Sequence, residues 1–345
     1  MKKVFKSKSI LITGATGTIG SSIVMNIIKY NNFKVVRAMS NDENGLHELL
    51  ENIDTNMKSF NVNERMERKK FRLLYGDIRD YNRCLDATKN IDIVIHAAAM
   101  KHVSICEYNP KEAIKTNILG TKNIVNASIR NKVKKFIFVS TDKAVYPTSD
   151  MGLSKLKAEK IALEKNKSFN SKKTKISCVR FGNILGSRGS VIPRFINQIK
   201  TTQNMNLSSK KMTRFIMTIE DAVKLIFKSI SIMKGKEIFI FKSMYSIKIL
   251  ELAEVLKDYY KKKYKRISIS EIGLATKEKF SEMLMTKEES KVAEEKNDMF
   301  VIDFKKKILN TKHNTKRFIK LDSNKVKFLK KREILKLLKL NNLIK

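Results

Sequence analysis

Two stretches of the chain carry residues whose types and order could do chemistry. Thr141-Asp142-Lys143 sets a hydroxyl, a carboxyl and an amine side by side, so a donor, an acid and a base lie within one turn of chain. Met151 and Lys155 follow at an (i, i+4) spacing, which puts both side chains on one helix face. Asp142-Lys143 could be a plain surface ion pair. Convergence with Thr141 and the Met151–Lys155 helix argues instead for a site.

Upstream, Thr13-Gly14-Ala15-Thr16-Gly17-Thr18-Ile19-Gly20 follows a short apolar run and opens a helix. Gly14 and Gly17 would let backbone N–H groups approach a pyrophosphate, and Gly20 would let the helix pack on the strand. The helix amino terminus would then face the phosphate charge. Such a glycine pattern alone also occurs as an ordinary tight turn; its strand–turn–helix setting makes it a dinucleotide signal. Asp77-Ile78 ends a later strand, where an acidic side chain can reach an adenine amino group, and Ala97-Ala98-Ala99 leaves room for a cofactor. Ser40-Asn41-Asp42, just after Arg37, mixes groups that favour the 2′-phosphate of NADP with groups that favour the ribose of NAD. Either cofactor fits that reading. His96 reads as a packed residue at a strand end. No His/Cys/Asp cluster has metal-ligand spacing, so no metal is expected.

These groups need a frame. Predicted strands over 9–13, 34–39, 71–76, 91–96, 135–140 and 175–181 alternate with helical patterns such as 21–30 and 110–130. Strand–helix alternation implies a doubly wound parallel sheet, the Rossmann α/β class, with its ligand beyond the carboxyl ends of the strands. After Gly182 the pattern loosens. A strand is expected over 237–241, and helices over 247–259 and 330–340. Residues 1–182 and 212–244 are assigned to the cofactor-binding domain, and 183–211 and 245–345 to a smaller, intergrown substrate region. Residues 52–70 read as a polar surface helix or loop, and the basic tail, with Phe328, Ile334, Leu335 and Leu338, as a terminal helix docked on the core.

The chain has 345 residues, 42% of them apolar, enough for a sizeable core. Three scattered cysteines, Cys84, Cys106 and Cys178, exclude a disulfide framework and fit a reducing cytoplasm. Met1-Lys2-Lys3 leads into a strand and a glycine turn, so no signal peptide is expected, and no apolar run is long enough to span a membrane. With 72 Lys and Arg against 34 Asp and Glu the net charge is +38, which reads as a solvated lysine-rich surface. Weak association with anionic surfaces is its expected side effect; no basic patch interleaved with aromatics and no helix-turn-helix pattern points to a specific nucleic acid.

In short-chain dehydrogenases a Ser or Thr at a strand end joins Tyr-x-x-x-Lys on the next helix, and here Met151 stands at the tyrosine position. The segments Ala98–Val103, Ser140–Pro147, Met151–Lys155, Arg180–Asn183, Ser187–Pro193 and Met212–Phe215 together resemble the UDP-N-acetylglucosamine 4,6-dehydratase family of polysaccharide biosynthesis, from about residue 8 to 340. Some members of that family also carry methionine there. The resemblance implies a tightly bound, recycled NADP or NAD, a UDP-sugar substrate and a homo-oligomer. It implies that Thr141 bonds the sugar near O4, Asp142 is the acid for the C6 hydroxyl, and Lys143 is the base at C5. Lys155 would bind the nicotinamide ribose, supported by Asn117 through a water. Asn183, Arg188, Val191 and Arg214 would hold the uridine diphosphate, and Glu282 its ribose. Lys101 and His102 would line the pocket. The chain departs from the family at Thr201-Thr202-Gln203-Asn204, where a glycine-rich turn is usual, and at Lys277-Glu278-Lys279.

The implied reaction is chemically coherent. C5–H of a sugar becomes acidic once C4 is a ketone, so water can then leave across C5–C6. Lys143 must be neutral and Asp142 protonated at some stage, and desolvation favours both forms. Inversion at C5 is favoured. With Met151 silent, the O4 proton goes to Asp142 or Lys143, through Thr141. A UDP-sugar 4-epimerase shares the C4 oxidation but needs no acid at C6, and a basic nucleic-acid-binding protein on the same scaffold is the remote rival.

Overall fold

Every residue of Ser9–Thr13 is buried, the mark of a strand covered by helices on both faces. Side chains alternate across it: Ile10 and Ile12 enter one core cluster and Leu11 the opposite one. In the computed structural model, residues 4–30, 33–59, 69–164, 174–242, 244–304 and 321–344 are described. Residues 1–3, 31–32, 60–68, 165–173, 243, 305–320 and 345 lie outside them, and with them the middle of the polar stretch 52–70.

The first half runs β1 (Ser9–Thr13), α1 (Thr18–Tyr30), β2 (Val35–Ser40), α2 (Glu43–Ser59), β3 (Phe71–Tyr75), α3 (Tyr81–Thr88) and β4 (Ile93–His96). Then come α4 (Val103–Tyr108), α5 (Pro110–Ala113), a π-helix over Ile114–Gly120, α6 (Thr121–Arg130), β5 (Lys135–Val139), α7 (Asp150–Glu164) and β6 (Lys175–Arg180). The predicted single helix over 110–130 is therefore two α-helical pieces around a π segment. Periodicity cannot reveal such a break, because one inserted residue only rotates the pattern.

The second half runs β7 (Asn183–Ile184), α8 (Val191–Thr201), β8 (Asn204–Leu207), β9 (Thr213–Met217), α9 (Ile219–Ile232) and β10 (Glu237–Phe241). It continues with β11 (Tyr245–Lys248), α10 (Ile249–Tyr260), β12 (Ser268–Glu271), α11 (Lys287–Val292), β13 (Ala293–Lys296), β14 (Met299–Asp303) and α12 (Lys331–Leu340).

The large sheet has the order β13-β14-β10-β6-β5-β4-β1-β2-β3. Its strands are parallel from β3 to β10, and β14 and β13 close the edge antiparallel. The chain leaves β1 towards β2 on one side and reaches β4 on the other, so a crevice opens at the carboxyl end of β1. One face is covered by α1, α2 and α9 and the other by α3, α6 and α7. Two small sheets, β11-β9-β7 and β12-β8, frame a third core cluster with α8 and α10. The two regions interleave: β9 from 212–244 pairs with β7 and β11, while β13 and β14 from 245–345 complete the large sheet.

The tail helix α12 docks through Ile334 and Leu338, each 1% exposed. The stretch Lys257–Arg266 does interleave aromatics with cations, contrary to the sequence reading. Tyr259, Tyr260 and Tyr264 pack against the third core cluster and against each other, so the rings serve the interior while the lysines face solvent.

Candidate active site

The glycine turn is built for close approach. Gly14 has φ +66°, and a Cβ there would lie 2.7 Å from the Ala98 backbone. A Cβ on Gly20 would lie 2.1 Å from the Gly14 carbonyl oxygen, so only glycine lets α1 start so near β1. Gly17 is different: its nearest neighbour would be the Gly14 oxygen at 3.3 Å, and it faces the crevice. The crevice is a cleft of about 830 Å³. Thr16, Thr18, Ile19, Ser40, Asn41, Asp42, Asp77, Ile78 and Ala97–Ala99 all line it.

At the far end of β2, Thr16 Oγ1 meets Ser40 Oγ at 2.9 Å, and the Asp42 carboxylate accepts the Gly45 N–H at 2.9 Å. Asp42 thus already caps the first turn of α2. Burial alone would raise the Asp77 carboxyl; the hydrogen bonds and charge of Arg79, with help from Asn41, outweigh it and hold it low. A carboxylate so engaged stays ionised. The cradle, the cleft and the ring of small residues fit a dinucleotide.

The other half of the cleft holds the hydroxyl and amine of the Thr141–Lys143 segment. Thr141 and Lys143 line it; Asp142 is fully buried beneath them. The Thr141 hydroxyl donates to Asp142 Oδ1 at 2.9 Å, and the Lys143 ammonium donates to the same oxygen at 3.0 Å. Asn183 Oδ1 accepts a second bond from Lys143 at 3.0 Å. Asp142 Oδ2 is buried and, among the described residues, has no hydrogen-bond partner. Met151, 3% exposed, packs with Cys106 and Ala113 and lines the cleft.

Lys155 lies deeper, donating to the Val139 carbonyl at 2.8 Å with its ammonium 4.1 Å from the Phe138 ring. Burial lowers its pKa to about 8, partly offset by Glu159. Asn117, in the π-helix, grips the Met100 backbone through both its N–H and C=O and donates to Ser154 Oγ at 2.9 Å. It braces the residue next to Lys155.

His96 is fully buried, as read from sequence. Thr121 donates to the Asn117 carbonyl at 2.7 Å, which leaves its oxygen to accept from His96 Nε2 at 3.0 Å. His96 Nδ1 then accepts from Thr13 at 2.7 Å. Burial, then the Lys155 charge, lowers its pKa to about 3. The ring is neutral and joins the glycine turn to the helix that carries Asn117.

The predicted diphosphate ligands separate. Asn183 and Val191 line the cleft, and so does Arg188, but its guanidinium reaches Glu48 of α2 at 2.7 Å. The Arg188 N–H donates to Thr18 Oγ1 at 3.3 Å, and its carbonyl accepts from Lys101 Nζ at 2.8 Å. Lys101 has its pKa lowered by burial and then by Arg188, and His102 is lowered by burial and then by Lys101. A Cβ on Gly189 would meet the His102 ring at 2.5 Å.

Arg214, 5% exposed, lies away from that cleft wall. It donates to the Thr213 and Phe280 carbonyls and stands 3.6 Å from Glu278. Glu282 is 2% exposed, 3.9 Å from Lys143 and 2.7 Å from Lys279. Sequence reasoning flagged Lys277-Glu278-Lys279 as a departure but missed that Glu278 stands beside Arg214 and Lys279 pairs with Glu282, while Lys277 pairs with Glu107 and Asp150. Among the described residues no His, Cys, Asp and Glu group could hold a metal ion.

Comparison with known proteins agrees with this layout. Residues 10–304 match the family described as polysaccharide biosynthesis protein. An uncharacterized membrane protein of Methanocaldococcus jannaschii is 42% identical over 339 residues, covering 97% of this chain and 96% of its own. A UDP-glucose 4-epimerase of Rickettsia canadensis is 37% identical over 310 residues, covering 89% of this chain and 86% of its own. The X-ray structure of Pen from Bacillus thuringiensis superposes with a TM-score of 0.88 at 41% identity, over 99% of both chains. Among the described residues no helix is long and apolar enough to cross a membrane.

Proposed function

The chain belongs to the polysaccharide biosynthesis protein family, an extended short-chain dehydrogenase/reductase family, and we propose that within it the enzyme is a UDP-N-acetylglucosamine 4,6-dehydratase that inverts C5. The observation that carries this reading is the Thr141–Asp142–Lys143 cluster: two hydrogen bonds converge on Asp142 Oδ1 at 2.9 and 3.0 Å, directly below a cleft wall where Met151 replaces a titratable group. An enzyme that only passes hydrogen to and from C4 needs one proton carrier. This cluster provides an acid and a separate base.

When bound, the nicotinamide supplies the acceptor for the C4 hydrogen and later the donor for C6. NAD and NADP both fit the mixed residues at 40–42. The protein groups handle the protons. The O4 proton passes through the Thr141 hydroxyl to the Asp142 carboxylate along the bond already present. Lys143, as the free amine, takes the C5 proton, now α to the ketone. Asp142 gives its proton to the C6 hydroxyl, which leaves as water. Lys143 returns a proton to C5 as C6 receives its hydrogen, and the net change is loss of one water. Lys155 holds the nicotinamide ribose, and Arg214 with Asn183, Arg188 and Val191 holds the uridine diphosphate, with Glu282 on its ribose. Lys101 and His102 wall the sugar pocket. The same division of labour assigns residues 1–182 and 212–244 to the cofactor and 183–211 and 245–345 to the substrate.

The epimerase name of the Rickettsia relative supports a second reading, UDP-sugar 4-epimerase. NMR of the product formed from UDP-N-acetylglucosamine in heavy water separates them. A 4-keto-6-deoxy sugar with deuterium at C5 supports the dehydratase; the C4 epimer without deuterium at C5 overturns it.

A further inference from the structure

Beneath the catalytic helix lies a buried string of charges that the reaction itself does not use. Arg180 on β6 is 1% exposed, and all five of its N–H groups are engaged. Nε and Nη2 donate to the two oxygens of Glu159 at 3.1 and 2.7 Å. Nη1 and Nη2 donate to Glu289 at 2.8 and 3.1 Å, and Nη1 also donates to the Leu284 carbonyl at 3.0 Å. Burial alone would lower the guanidinium; the two carboxylates outweigh it and fix it as a cation. Glu159 lies one turn beyond Lys155 on α7, and it is the acid acting on that lysine.

The sequence of charges is thus Lys155, Glu159, Arg180, Glu289, alternating in sign. The first three come from the cofactor-binding half. Glu289 comes from the C-terminal part, where it also completes the capping box with Thr286 at the start of α11. Other groups facing Lys155 are the Val139 carbonyl and Phe138 ring of β5, Cys178 of β6, and His96 of β4, which is neutral. Without Glu289, two buried cations would share one carboxylate. Arginine cannot shed a proton in a protein; a buried lysine can.

We propose that Glu289 is a positioning residue for Lys155: as the second carboxylate on Arg180 it leaves the buried Arg180–Glu159–Glu289 cluster net negative, and that charge, one helical turn from Lys155 at Glu159, holds the lysine side chain in place. The C-terminal region thereby acts on a group it does not touch. This rests on the reading of Lys155 as the nicotinamide-ribose ligand.

The test is the pH dependence of NADH affinity, read by nicotinamide fluorescence on the full chain, which does not depend on which sugar reaction follows. Wild type should lose affinity as pH rises through about 8. Glu289→Gln should move that midpoint down by about 1 pH unit, Glu289→Asp should restore it, and Arg180→Met should move it up. The double variant Arg180→Met/Glu289→Gln leaves no unbalanced buried charge; it should fold if Glu289→Gln does not, and its midpoint should lie below that of Arg180→Met. An unmoved midpoint in Glu289→Gln, or equal midpoints in Arg180→Met and the double variant, would overturn the proposal. A Lys155→Met protein that keeps the wild-type midpoint would instead sink the underlying reading of Lys155.

Discussion

The Lys143 ammonium lies 3.0 Å from Asn183 Oδ1, so the first residue past Arg180-Phe181-Gly182 aims the amine of the short turn that follows β5. That bond joins the two halves at the residue proposed above as the base. It fixes Lys143 in the cleft wall while its other bond reaches down to Asp142.

Lys143→Ala should stop both dehydration and C5 exchange while cofactor affinity is kept. A positioned acid–base group contributes about 10²–10⁴-fold, so the loss should be of that size. Product analysis by NMR in heavy water reads both effects, and the hydrogen at C6 should come from C4. Full dehydratase activity in the variant would keep the reaction and remove Lys143 as its base.

The glycines should fail differently. Gly17→Ala should fold, because its Cβ meets only the Gly14 oxygen at 3.3 Å. Gly17→Asp should also fold but lose cofactor, since a carboxylate would sit where the pyrophosphate belongs. Gly20→Ala should lose thermal stability outright, with contacts at 2.1 and 2.8 Å to the Gly14-Ala15 backbone. Unchanged NADH binding in folded Gly17→Asp would remove the turn from the site.

Arg214→Ala should raise KM for the UDP-sugar by about 10–100-fold, the worth of a charge-assisted bond. Steady-state kinetics checks it. Because Glu278 stands 3.6 Å from this guanidinium, Glu278→Gln should lower KM by removing a rival anion. A silent Arg214→Ala would leave Met212–Phe215 as packing only.

His96 predicts an acid-labile component of stability. Its pKa is lowered on folding from 6.5 to about 3, so the unfolded chain binds the extra proton between those values. The contribution is complete above the unfolded pKa and is lost as pH falls towards the folded one. Urea midpoints measured across that window should fall more steeply for wild type than for His96→Gln. Parallel pH profiles would mean that His96 is not neutral in the fold.

The parts of the site carried by short-range spacing were legible in the sequence. The glycine turn, the Met151–Lys155 face and the Thr141–Lys143 cluster each lie within a few residues, and the alternation of strands and helices orders them. What escaped depends on long-range chain crossings. Arg188 finds Glu48 from 140 residues away, and Arg180 finds Glu289 from 109 residues away. No local pattern announces either partner. Ala293–Lys296, an edge strand for which no strand was expected, carries Glu294, Glu295 and Lys296, and charge is the usual guard of an edge against further pairing. The π-helix escaped for a different reason, since its apolar spacing stays helical throughout.

Arg188 is tied through both of its backbone polar groups, its N–H to Thr18 and its carbonyl to Lys101, and its side chain reaches across to α2. A dinucleotide seated along the turn would lie under this clasp and could depart only after the loop had opened. For the proposed reaction, which restores its cofactor in every cycle, exchange of that cofactor would bring no gain, and such a clasp would act on residence time rather than on affinity alone.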